Sequence, residues 1–239
     1  MKMDEHVYSD LAKLNAAVLE EIHRVIEDAL SKRRKFAIAL SGGHTPSRLY
    51  ALWAEKHGID TPWDSVHLFW GDERYVPEDD PQSNYRMARE SLISRVPIPA
   101  GNVHPFRTEL PTPEEAAADY EAELRKFFGD EPPAFDVQLL GLGEEGHTAS
   151  LFPGSPALNE KQRWAMSVIA PVQPPRRLTL TPVVLNRGRN TFFLVAGGKK
   201  REILQKLRDE QNPESSEYPA ASLQPGGRII WYLDKAAAG

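Results

Sequence analysis

Leu11, Leu14, Val18, Ile22, Val25 and Ile26 recur at steps of three and four. This spacing marks one face of an amphipathic helix and predicts a helix over 4–31. The basic run 32–35 breaks the pattern. The apolar stretch 36–40 then reads as a short buried strand. A turn at Ser41-Gly-Gly-His-Thr-Pro46 follows. Pro46 suits the first turn of the next helix, placed at 46–57. A second buried strand, 66–70, ends at Gly71-Asp-Glu-Arg74. A helix is expected over 83–95, a short strand at 103–106, a helix at 113–128 and a strand at 135–140. In the second half, strands are expected at 164–170, 177–181, 191–196 and 228–233. Helices are expected at 182–187 and 199–208, and a polar surface loop at 211–218. The alternation of strand and helix predicts a three-layer α/β/α fold. Its central sheet is mostly parallel and doubly wound, Rossmann-like, with helices on both faces. Ligands of such sheets sit outside the carboxyl ends of the strands. The glycines closing strands at 41–43, 71 and 141–143 direct the search there.

Composition narrows the chemistry. The chain has 239 residues, a net charge of −5 and no cysteine. Disulfides, thiolate metal sites and cysteine nucleophiles are excluded. A mildly acidic chain lacks the basic surface that a nucleic-acid backbone requires, so no nucleic-acid partner is expected. No apolar run approaches the ~20 residues of a membrane span. The polar N-terminal stretch lacks the apolar core of a signal peptide. A cytoplasmic location and no membrane partner are therefore expected. No linker or repeat divides the chain, and one domain over 1–239 is expected.

Four segments carry candidate chemistry. The 41–46 turn is either an ordinary strand-to-helix turn or a phosphate site, where backbone N–H groups and a helix dipole favour an anion. Gly141-Leu-Gly-Glu-Glu-Gly146 fits a dinucleotide-binding pattern. That reading is rejected, because Pro153, Gly154 and Pro156 interrupt the helix that should follow and Glu144 and Glu145 would repel a pyrophosphate. The same loop carries His147, which can exchange a proton near neutral pH. Among the other histidines, His6, His23 and His57 read as solvated positions and His67 as a packing residue. Asp72-Glu73-Arg74 is either a surface ion-pair cluster or a carboxylate beside a histidine plus an arginine for an anionic substrate. Arg177 and Lys200 add two further cations. No metal-binding spacing and no nucleophile elbow occurs, so base-assisted attack by water fits better than a covalent serine mechanism.

Several motifs together resemble the 6-phosphogluconolactonase family. They are Ser41-Gly-Gly-x-Thr-Pro46, Gly71-Asp-Glu-Arg-Tyr-Val-Pro77, Ser83-Asn-Tyr85, the long segment Leu140–Gly154, Arg177-Leu-Thr-Leu-Thr181 and Gly197-x-x-Lys200. The resemblance implies an enzyme that hydrolyses 6-phospho-D-glucono-1,5-lactone to 6-phospho-D-gluconate in the pentose phosphate pathway, without a cofactor. It implies a fold like that of the glucosamine-6-phosphate deaminases, and it favours a monomer. It also implies site roles. His147 is the general base and Asp72 orients the imidazole or stabilises its cation. Ser41, Gly42, Gly43, Thr45, Arg74, Arg177 and Lys200 bind substrate. Two alternatives are a deaminase-like sugar-phosphate isomerase and a non-catalytic sugar-phosphate-binding regulator. The deaminase segment carries a catalytic glutamate where this chain has Phe152, which cannot transfer protons. The lactonase pattern commonly has aspartate two residues before the histidine. Here the residue is Glu145, which keeps the charge and has a longer reach.

Overall fold

The computed structural model describes residues 3–209 and 218–239. The expected surface loop at 211–218 therefore lies outside the described residues except for Tyr218. In chain order the main elements are β1 (Glu5–Tyr8), α1 (Leu11–Lys32), β2 (Phe36–Leu40), α2 (His44–His57), β3 (Val66–Trp70), β4 (Asp72–Arg74), α3 (Asn84–Ser91), β5 (Val103–His104), α4 (Pro113–Phe128), β6 (Val137–Leu140), β7 (Ala165–Ile169) and β8 (Arg176–Leu180). There follow α5 (Pro182–Leu185), β9 (Asn190–Val195), α6 (Arg201–Arg208), α7 (Pro219–Ser222), β10 (Arg228–Asp234) and α8 (Lys235–Ala238).

Seven strands form one parallel sheet in the order β1-β10-β9-β6-β2-β3-β5, flanked by helices. Strands buried on both faces read as continuous apolar runs, and β2 and β3 are buried at all five positions. Chain order runs outward from β2 through β3 to β5, then returns to its other side with β6. The switch point of the sheet thus lies between β2 and β6.

One end of the predicted first helix is different. Residues 5–8 are not helical but form an edge strand on β10. The helix starts at Leu11 because the Asp10 side chain accepts the Lys13 N–H at 2.9 Å and caps it. The second difference is a three-stranded antiparallel sheet, β4-β8-β7, beside the main one. Its register sets Asp72 opposite Thr179 and Arg74 opposite Arg177.

Two strand ends are fixed by buried phenols. The Tyr50 hydroxyl, from α2, donates to the Ser41 carbonyl at 2.8 Å and accepts the Ser41 N–H at 2.9 Å. Tyr120, from α4, makes the same two bonds with Trp70 at 2.9 and 2.8 Å. The loops beyond β2 and β3 therefore leave from rigid points. Of the histidines, His67 is buried as expected and shares a hydrogen bond with His104. His23 is half-buried rather than fully solvated: it packs against Trp53 and His57.

Candidate active site

A cleft of about 410 Å³ opens at the carboxyl ends of β2 and β6, at the switch point. Ser41, Gly42, Gly43, Asp72, Arg74, His147, Arg177 and Lys200 all line it. Thr45 does not. It lies in the first turn of α2, where its carbonyl accepts a 3.5 Å bond from Asn15. A larger cavity of about 660 Å³ lies elsewhere, between the start of α4 and β7, and holds none of the predicted site residues.

The floor of the cleft is built by close approaches. Gly43 caps α2 with φ +101°, a conformation that favours glycine. At Gly42 a Cβ would stand 1.9 Å from Asn84 Oδ1. Asn84 was not singled out for the site from sequence, although its Ser83-Asn-Tyr85 motif was. It is buried, lines the cleft, and donates to the Asp72 carbonyl at 2.9 Å.

The acidic pair splits into two jobs. Glu73 is buried and turns away from the cleft to the start of α3. It accepts the N–H groups of Asn84 and Tyr85, each at 2.7 Å. Burial pushes its carboxyl up to about 7, while those N–H groups hold it down. Asp72 faces the cleft, and its Oδ2 accepts the Ser150 hydroxyl at 2.7 Å. The surface ion-pair reading fails, since both carboxylates are buried.

The cations converge from three segments. Arg74 and Arg177 are direct cross-strand neighbours, an arrangement that destabilises a sheet unless an anion intervenes. Arg74 donates to the Gln82 carbonyl at 2.6 Å, yet its Nε is buried without a partner. Arg177 donates to the carbonyls of Pro174 and Gln173, which ties the 171–175 loop to β8. Burial and the nearby Arg74 charge lower its pKa. Lys200 sits on a turn that begins at Gly197, whose N–H is held at 3.0 Å by Asp234 at the end of β10. Among the described residues, none of the three cations forms an ion pair with a carboxylate.

His147 presents two different nitrogens. Nδ1 is buried and has no hydrogen-bond partner. Glu145 Oε1 lies 3.2 Å away, at ion-pair distance but without hydrogen-bond alignment. Nε2 is the nitrogen left to the cleft. Burial lowers the pKa of His147. The charges of Glu145 and Asp72 act against that fall, and Lys200 adds to it.

The fold and the cleft define a class: α/β proteins that hold a small anionic ligand outside the carboxyl ends of a parallel sheet. The chain belongs to the family of glucosamine-6-phosphate isomerases and 6-phosphogluconolactonases, whose profile matches residues 9–231. It is 46% identical over 216 residues to a 6-phosphogluconolactonase of Synechocystis, covering 89% of this chain and 87% of the relative. It is 38% identical to a human 6-phosphogluconolactonase, covering 97% and 91%. The crystal structure of 6-phosphogluconolactonase from Thermotoga maritima superposes with a TM-score of 0.84 at 33% identity, covering 98% and 100%. A monomeric glucosamine-6-phosphate deaminase shares the fold, with a TM-score of 0.82 at 20% identity.

Proposed function

We propose that this chain hydrolyses 6-phospho-D-glucono-1,5-lactone to 6-phospho-D-gluconate. One observation carries the reading: three cations without carboxylate partners and a largely buried histidine share one cleft at the switch point. The substrate has matching parts, a phosphate and an electrophilic ring ester. Arg177, Lys200 and the backbone N–H groups of Gly42 and Gly43 hold the phosphate. Arg74 adds a contact. Binding energy from this remote group positions C1.

His147 Nε2 accepts a proton from the water that attacks C1. The bond from C1 to the ring oxygen then breaks, and the imidazolium returns the proton to that oxygen. Such proton transfer contributes about 10²–10⁴-fold. Nδ1 must carry the proton in the resting state, and the nearby Glu145 carboxylate favours that tautomer. Asp72 has no hydrogen bond to the imidazole. Its part is through space, as stabiliser of the imidazolium. No cofactor enters this scheme. The protein works as a monomer, as one domain over 1–239, in the cytoplasm.

The test is lactone hydrolysis with the spontaneous rate subtracted, run beside glucosamine-6-phosphate deamination. His147→Ala is expected to lower kcat by about 10²-fold or more. An unchanged kcat removes His147 as base, and deamination without hydrolysis removes the reading itself. Because the His147 pKa lies below its ordinary 6.5, the base is neutral above that value. The midpoint of the acid limb of kcat/KM for the lactone is expected to lie below pH 6.5. An acid limb above 6.5 contradicts the assignment.

A further inference from the structure

Phe152 has no part in this chemistry, yet it is buried, lines the cleft and stacks on the His147 ring. The centroids are 4.2 Å apart and the planes 30° apart. On the same imidazole, a Cβ at Gly143 would stand 2.0 Å from Nδ1, 2.3 Å from Cε1 and 2.7 Å from Cγ. Three distances so similar place the Gly143 backbone over the ring rather than beside its edge. Glu145 Oε1 stands 3.2 Å from Nδ1 without good alignment, so the plane of the ring is set by that carboxylate together with the packing of Gly143 and Phe152.

The chain is bent to bring Phe152 there. Between the two rings, Thr148 and Leu151 form an antiparallel bridge around Ala149. Ala149 has φ +48° and is the non-glycine residue with positive φ among the described residues. An alanine in that region is strained, and such strain persists where the surroundings impose it.

We propose that Phe152 is a positioning residue for His147: its ring and the Gly143 backbone fix the imidazole plane, turn Nε2 to the cleft and keep water from the ring. The proposal rests on His147 being the base. Fixing the plane places the proton acceptor against one water. Keeping water away disfavours the imidazolium. The charged groups facing the imidazole are Glu145 on its own loop, Asp72 on β4 and Lys200 on the turn before α6. The two carboxylates favour the cation, so burial is what keeps the ring neutral. Phe152 supplies part of that burial.

The test is a magnetic-resonance titration of the His147 ring in the full chain, together with the pH profile of lactone hydrolysis. In Phe152→Ala the His147 pKa is expected to rise by roughly 0.5–1 unit. The kcat should fall about tenfold or more, with little change in KM. Phe152→Tyr keeps the aromatic face and should restore the parent titration. Phe152→Leu replaces Phe152→Ala if the smaller residue does not fold. A folded variant with an unmoved His147 titration overturns the proposal. A moved titration with an unmoved acid limb upholds the positioning of the ring and overturns the base assignment instead.

Discussion

Arg74 and Arg177 are cross-strand partners on β4 and β8, so the two cations repel each other, and a bound anion relieves that repulsion. Arg74→Met is therefore expected to separate stability from binding. The unfolding free energy should hold or rise by a few tenths of a kcal/mol, roughly the range of cross-strand pairs. The KM for the phosphorylated lactone should rise about tenfold or more. Urea denaturation and steady-state kinetics on one preparation check both. A loss of stability above about 1 kcal/mol shows that the Gln82 contact outweighs the repulsion. At this scale the sequence was informative where chemistry repeats a local signature. Glycine before a helix, histidine after glycines and cations beside glycines all led to the cleft. It was uninformative where a role depends on a partner far along the chain. Nothing in Asp72-Glu73 says that one carboxylate faces the cleft and the other holds the start of α3. Nothing local to Asn84 says that it lies against Gly42.

The strands that deliver the site are anchored from outside it. Tyr50 satisfies both backbone groups of Ser41, and Tyr120 does so for Trp70. Tyr50→Phe leaves a buried N–H and a buried carbonyl unpaired. Each unpaired group costs about 1–3 kcal/mol, so a loss of at least about 2 kcal/mol is expected in urea denaturation. The loop at 41–43 should lose its fixed origin, and KM should rise while the acid limb stays in place. Loss of stability with unchanged KM shows that the loop is held by other contacts. The main strands and helices were readable because their apolar periods are strong. The edge strand β1 was not, since Glu5-His-Val-Tyr8 has mixed exposure and owes its pairing to β10. The antiparallel sheet was missed for a similar reason. In sequence β4 reads only as the end of the 66–70 strand, while β7 and β8 look like any other strands, and only long-range pairing separates the three from the parallel set.

Histidines tie the stability of the whole molecule to pH. Burial lowers His23 and His67 to about 4, and lowers His104 and His147 as well. These groups are neutral in the fold, whereas the unfolded chain protonates them near 6.5. Their contribution is fully present above 6.5 and is lost as the pH falls from 6.5 towards 4. Glu73, raised to about 7, acts in the opposite direction between 4.5 and 7, and the buried Asp136, also raised, acts in the same sense as Glu73. The four histidines outnumber these carboxyls, so the urea midpoint is expected to be lower at pH 5 than at pH 7.5. His23→Gln should shrink that difference, and an equal midpoint at both values contradicts the expectation. The sheet order adds a different kind of consequence, one of timing. Among the described residues β1 pairs with β10 alone, and more than two hundred residues separate the two strands. At ~5–20 residues per second, a ribosome takes roughly 10–45 s to travel that far. Throughout that interval β1 has been made and lacks its strand partner β10. Its two solvent-compatible polar residues, Glu5 and His6, suit a segment that must wait in water without recruiting a neighbour.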